Sequence, residues 1–92
     1  MATVKTVEQK IWKVEGIVAR ILHPDGRDVR SDYEGLPNYN KYERAASGEM
    51  TVADWRESRF KTIYPGFEVK VVDGSGIAVH GGTKLGNVRD TY

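Results

Sequence analysis

Cysteine is absent from this 92-residue chain, which removes disulfides, thiolate nucleophiles and most structural zinc sites together. That absence fits a reducing compartment. Histidine is scarce: His23 and His80 both stand beside turn residues, and neither has a companion at metal-ligand spacing. No apolar run approaches the roughly 20 residues needed to cross a bilayer, and the N-terminal residues lack the apolar core of a signal peptide. The expectation is a soluble, intracellular protein. An excess of charge of one sign is also missing, since 14 lysines and arginines face 13 aspartates and glutamates, for a net charge of +1. A non-specific DNA binder that works by counterion release carries a larger excess. Any basic patch must therefore be assembled by folding.

The signatures of catalysis are thin as well. Gly74-Ser75-Gly76 lacks the longer phosphate-loop or nucleophile-elbow pattern and its strand-to-helix context, and a hairpin turn explains it. The carboxylates are dispersed, with no pair at a spacing that suggests acid–base work. The chain is not expected to be an enzyme, and no cofactor or metal is expected.

What is present is one clear helical pattern over residues 51–63. At about 100° per residue, Val52, Ala53, Trp55, Phe60 and Ile63 fall on one half of the circumference. Arg56 and Arg59 fall within that same half. Arginine among aromatics suits desolvated interfaces and nucleic-acid surfaces, because guanidinium stacks and makes forked hydrogen bonds. The alternative is that both stems run along the core rim with their heads in water. Thr51 is the expected N-cap, Asp54 suits the positive end of the helix dipole, and Pro65-Gly66 stops the helix.

The remaining chain reads as strands and turns around that helix. Residues 1–10 are polar apart from scattered valines and are expected to form an arm that orders on contact, leaving 11–92 as a single domain. Residues 11–22 are dense in β-branched and aromatic side chains and predict a long strand with a bulge near Glu15-Gly16. His23-Pro24-Asp25-Gly26 has the composition of a tight turn. A short strand near 28–33 could pair back, followed by an irregular excursion to residue 50. Phe67 to Val71 alternates as a half-buried strand, Asp73 to Gly76 is a hairpin connection, and 77–80 is the return strand. Gly81-Gly82 makes a second turn, and 83–89 can supply a last strand. The sum is an α+β domain, an antiparallel sheet of three to five strands with one helix packed across a face.

Within the 27–50 excursion, Arg27, Arg30, Tyr33, Tyr39, Lys41, Tyr42 and Arg44 alternate basic and aromatic groups. The pattern suits stacking on bases or packing on a partner, and equally a long loop whose tyrosines lie on the domain's own surface. The candidate partner- or nucleic-acid-binding residues are Arg27, Arg30, Tyr33, Lys41, Tyr42 and Arg44, together with Arg56 and Arg59 of the helix. Arg, Tyr and Trp also dominate protein interfaces, so residue type alone does not separate the two partners.

Taken whole, the chain resembles a small phage-encoded anti-CRISPR protein directed against the type I-F surveillance complex. Its length carries that resemblance, with the stretches Val14-Glu15-Gly16-Ile17-Val18-Ala19-Arg20 and Met50-Thr51-Val52-Ala53-Asp54-Trp55-Arg56. Such inhibitors share no common fold or diagnostic motif, so no site residue is transferred from them. The resemblance implies a non-enzymatic inhibitor in the cytoplasm of an infected bacterial host. It would dock on a crRNA-guided complex and block target-DNA binding or hybridisation. The implied partners are proteins of that complex, with or without direct contact to its guide RNA, and with no membrane and no small-molecule substrate. Near-neutral charge argues against acidic mimicry of DNA, and favours acidic contacts to cationic subunits combined with arginine contacts to RNA. The alternatives are a small stand-alone nucleic-acid-binding accessory domain of phage or bacterial origin, and a virion assembly module that pairs through a sheet edge.

Overall fold

The computed structural model of the chain describes residues 2–30 and 33–92. Its first element is a helix, α1 (Val4–Glu15). Val4, Val7, Ile11 and Glu15 recur at helical spacing, and all four are buried. Thr3 caps the start, its hydroxyl accepting from the Thr6 backbone N–H at 3.2 Å. Gly16 ends the helix at φ 72°, in the left-handed region, and its N–H donates to the Trp12 carbonyl. The structure thus corrects the expected N-terminal arm and shortens the expected strand over 11–22. The β-branched density that suggested a strand lies on two elements, and the presumed bulge at Glu15-Gly16 is the helix C-cap.

The strand that survives is β1 (Val18–Leu22), which pairs antiparallel with β2 (Glu68–Val72), Val18 opposite Val72 and Leu22 opposite Glu68. Ala19, Ile21, Val69 and Val71 point inward, as the period of two requires. The sheet has two strands rather than three to five. Its edges are closed by single bridges: Leu22 with Asp28 on one side and Val72 with Ala78 on the other. Ile21 donates its N–H to Glu8 Oε2 at 2.9 Å and accepts from Val29 N–H, so the outer edge of β1 offers little for another chain to pair with. The strand expected near 28–33 is reduced to the Asp28 bridge, and Ser31 and Asp32 lie outside the described residues. The return strand at 77–80 is likewise reduced to the Ala78 bridge. Both tight turns are present, at His23–Arg27 and Asp73–Ile77.

The second helix, α2, runs through Val52–Trp55, a wider π turn at Arg56–Phe60, and Lys61–Ile63. Its first donors are all accounted for. Val52 and Ala53 donate to the carbonyls of Thr83 and Gly81, and Asp54 donates to the Thr51 hydroxyl. In the π turn Lys61 N–H reaches back five residues to the Arg56 carbonyl. That register brings Phe60 under Trp55, centroids 5.9 Å apart, where a straight α-helix would have rotated it away. Phe60 then meets Tyr64 at 5.1 Å, and all three rings are buried. A third helix, α3 (Leu85–Arg89), replaces the strand expected over 83–89. Leu85 and Val88 are buried three residues apart, a helical pair. The helix lying against β1 is α1.

The chain ends in a clasp. Tyr92 Oη accepts from the Val18 N–H at 2.9 Å and donates to the Val72 carbonyl, joining the ends of both strands. Thr91 Oγ1 accepts from the Gly74 N–H, and a Cβ at Gly74 would fall 1.8 Å from the Thr91 carbonyl oxygen. Glycine is required there by close approach.

A candidate interface above a buried carboxylate

Glu15 is the one charged residue with no solvent exposure among the described residues. An isolated carboxylate in such a place would be costly, so its bonding is decisive. Oε2 accepts from Tyr39 Oη at 2.5 Å and from Arg59 Nη1 at 2.9 Å. Oε1 accepts from the Ala46 backbone N–H at 2.7 Å and, more loosely, from Arg59 Nη1 at 3.3 Å. Burial alone would push the Glu15 carboxyl up. The hydrogen bonds from Tyr39, Ala46 and Arg59, together with the Arg59 charge, hold it below the ordinary carboxylate range. Burial and the adjoining carboxylate push the Tyr39 phenol up, so it stays protonated and donating. One side chain of α1 thereby fixes the irregular 38–46 segment and α2.

Arg59 answers the question that the helix pattern left open. It is neither a free interface group nor a stem with its head in water. The π turn points it at Glu15, its Nη1 also donates to the Arg44 carbonyl at 2.8 Å, and its guanidinium lies 4.4 Å from the Tyr42 ring centroid. Arg56, one turn earlier, sits half-buried beside Glu57 at 3.5 Å.

Above this buried site the surface is hollowed. Lys41, Tyr42, Glu43, Arg44 and Arg59 line an open cleft of about 370 Å³. A second hollow of about 350 Å³ lies between Lys10, Lys13, Val14, Asn40, Tyr42 and Glu43. A third, of about 270 Å³, has Thr6, Lys10, Asn38 and Asn40 on its walls. Shared walls join them, Tyr42 and Glu43 between the first two, Lys10 and Asn40 between the second and third. The result is one trough along the seam between α1 and residues 38–44.

The expected contact residues divide accordingly. Lys41, Tyr42, Arg44 and Arg59 come together at one end of the trough. Arg27 is exposed and paired with Asp25 at 2.7 Å in the turn after β1. Tyr33 is exposed with its ring edge on Phe67, which in turn faces His23. Arg30 is exposed on the same stretch, and its carbonyl accepts from the Tyr33 N–H. Arg56 lines none of the three hollows. Sequence reasoning missed Glu15, Lys10, Lys13, Asn38 and Asn40, and placed Tyr39 in the basic and aromatic pattern without making it a contact residue. The signal for Glu15 was its place as fourth member of the Val4-Val7-Ile11 series; nothing linear tied Lys10 to Asn40. Among the described residues no group of His, Asp or Glu could hold a metal ion, and no helix is long and apolar enough to cross a membrane.

The chain matches no protein-family model, no characterised protein and no solved structure.

Proposed function

We propose that the chain acts by docking, as a non-enzymatic inhibitor of a crRNA-guided type I-F surveillance complex that blocks target-DNA hybridisation. The observation that carries this reading is the rim of Lys41, Tyr42 and Arg44, anchored from below by Arg59 and Glu15. A basic and aromatic surface already held in place loses little conformational freedom on binding, so more of its contact energy appears as affinity. The likeness of residues 14–20 and 50–56 to anti-CRISPR proteins supplies the target class. Glu49, Asp54 and Glu57, which line a separate open hollow with Met50 and Ser58, are suited to cationic protein subunits.

The direct test is co-elution of the protein with a purified type I-F crRNA–protein complex, followed by a target-DNA shift assay. Co-elution with loss of DNA binding is the expected result, and the Lys41→Glu/Arg44→Glu variant should lose it while melting as the parent does. An unretained parent protein sinks the proposal.

A further inference from the structure

The trough gathers cations that no carboxylate pairs. Outside it five cations are paired, Arg20 with Glu8, Arg27 with Asp25, Arg56 with Glu57, Lys61 with Glu68 and Lys84 with Glu49, while Lys5 and Lys70 stand singly without an ion pair among the described residues. Lys10, Lys13, Lys41 and Arg44 have no ion pair among the described residues, and Lys41 makes only a long contact, 5.9 Å, with the Tyr42 ring. Only one carboxylate, Glu43, shares the walls. Holding like charges together without counter-charges is unfavourable for the isolated protein, and an anionic chain laid along them removes that cost.

The neutral groups between the cations narrow the choice of anion. Asn38 and Asn40 are set along the walls, and each amide offers both donor and acceptor. The half-buried Tyr42 ring lies against the Arg59 guanidinium at 4.4 Å, with the Tyr39 ring 6.2 Å and Lys41 Nζ 5.9 Å away. Spaced cations, amides and an aromatic ring along one trough are the elements that follow a single-stranded backbone and stack its bases. A duplex hides the faces of its bases from such a ring and would instead require a broad cationic face.

We infer that the seam between α1 and residues 38–44 is a binding channel for a single-stranded nucleic acid. Lys10, Lys13, Lys41 and Arg44 contact its phosphates, Tyr42 stacks on a base, and Asn38 and Asn40 bond to sugar or base edges. This deepens the docking reading at the same surface, because the guide strand of a surveillance complex offers that chemistry. The channel is defined without reference to the complex.

The experiment is fluorescence anisotropy of the intact protein with short single-stranded RNA, single-stranded DNA and duplex DNA across a salt series. Single strands, of RNA or DNA, should bind more tightly than the duplex, with affinity falling as salt rises. Replacing Lys10 and Lys13 together by glutamine should weaken single-strand binding on the order of tenfold and flatten the salt slope by about 1.4, roughly 0.7 for each phosphate no longer neutralised. Lys5→Gln/Lys70→Gln, which removes the same charge outside the trough, should leave both unchanged. Equal weakening in the two variants, preference for duplex, or no binding to any oligonucleotide overturns the inference. Co-elution with the surveillance complex is a separate readout: oligonucleotide binding without co-elution removes the inhibitor proposal and leaves the channel, and the converse removes the channel alone.

Discussion

Two charged regions lie on either side of Tyr42, and they are handled in opposite ways. Beneath it, Glu15 has both oxygens occupied by Tyr39, Ala46 and Arg59. Beside it, Lys10, Lys13, Lys41 and Arg44 stand without ion pairs among the described residues. A buried ion is tolerated only when its hydrogen bonds are complete, whereas solvent can screen an exposed one left alone. The difference separates roles: the inner region holds the 38–46 segment in place, and the outer one keeps charge available for something else. Breaking each region should therefore give opposite phenotypes, one in folding and one in binding.

The largest expected effect is on the inside. Glu15→Ala strands the Tyr39 hydroxyl, the buried Ala46 N–H and the half-buried Arg59 guanidinium at once. Each buried donor left unsatisfied costs about 1 to 3 kcal/mol, so stranding Tyr39 and Ala46 together should cost roughly 3 to 5 kcal/mol, a large share of the stability of a domain this size. Chemical denaturation should show the loss. A variant as stable as the parent would mean that Glu15 does not organise the segment.

Arg59→Met should cost less. It keeps a long stem over Tyr42 and leaves Glu15 its bonds from Tyr39 and Ala46. The expected loss is about 1.5 to 3 kcal/mol, typical of a hydrogen bond to a charged group. The same variant sharpens the pH behaviour. The Glu15 pKa is lowered on folding, so its contribution is complete above the ordinary value of 4.5 and is lost as pH falls through the folded value. The parent should thus lose stability on acidification below 4.5. In Arg59→Met burial is less opposed and the folded carboxyl moves back up toward its ordinary value, so the acid-dependent loss should be smaller and finish at higher pH. Thermal melts from neutral pH down into the acid range measure both curves.

These regions also mark what could be read from the residues alone. The start of α2 was legible because local chemistry suffices: a threonine cap, an acidic first turn, apolar spacing and a Pro-Gly stop. The two turns were legible for the same reason. The N-terminal helix was not, because its buried face ends in a glutamate, and a charge at the fourth core position disguises the period. That charge makes sense only once Tyr39, Ala46 and Arg59 surround it. The missing outer strands follow from closure of the sheet by single bridges, which leave alternating residues in place without a ladder. Only half of the candidate surface was visible. Lys41, Tyr42 and Arg44 are neighbours in sequence, but α1 supplies the opposite wall of the trough.

The smallest effects belong to that wall, and they differ in sign. Lys10→Gln relieves repulsion among unpaired cations and should leave stability unchanged or slightly raised, within about 0.5 kcal/mol. Lys13 shares the trough but also sits in the last turn of α1, where a cation favours the negative end of the helix dipole by about 0.3 to 1 kcal/mol. Lys13→Gln should therefore lower the melting temperature slightly while Lys10→Gln does not. If both lysines are nonetheless equally needed for single-strand binding, their shared property is position along the trough and not support of the fold. If only the destabilised variant loses binding, the outer region is part of the folding machinery, and the contrast with Glu15 collapses.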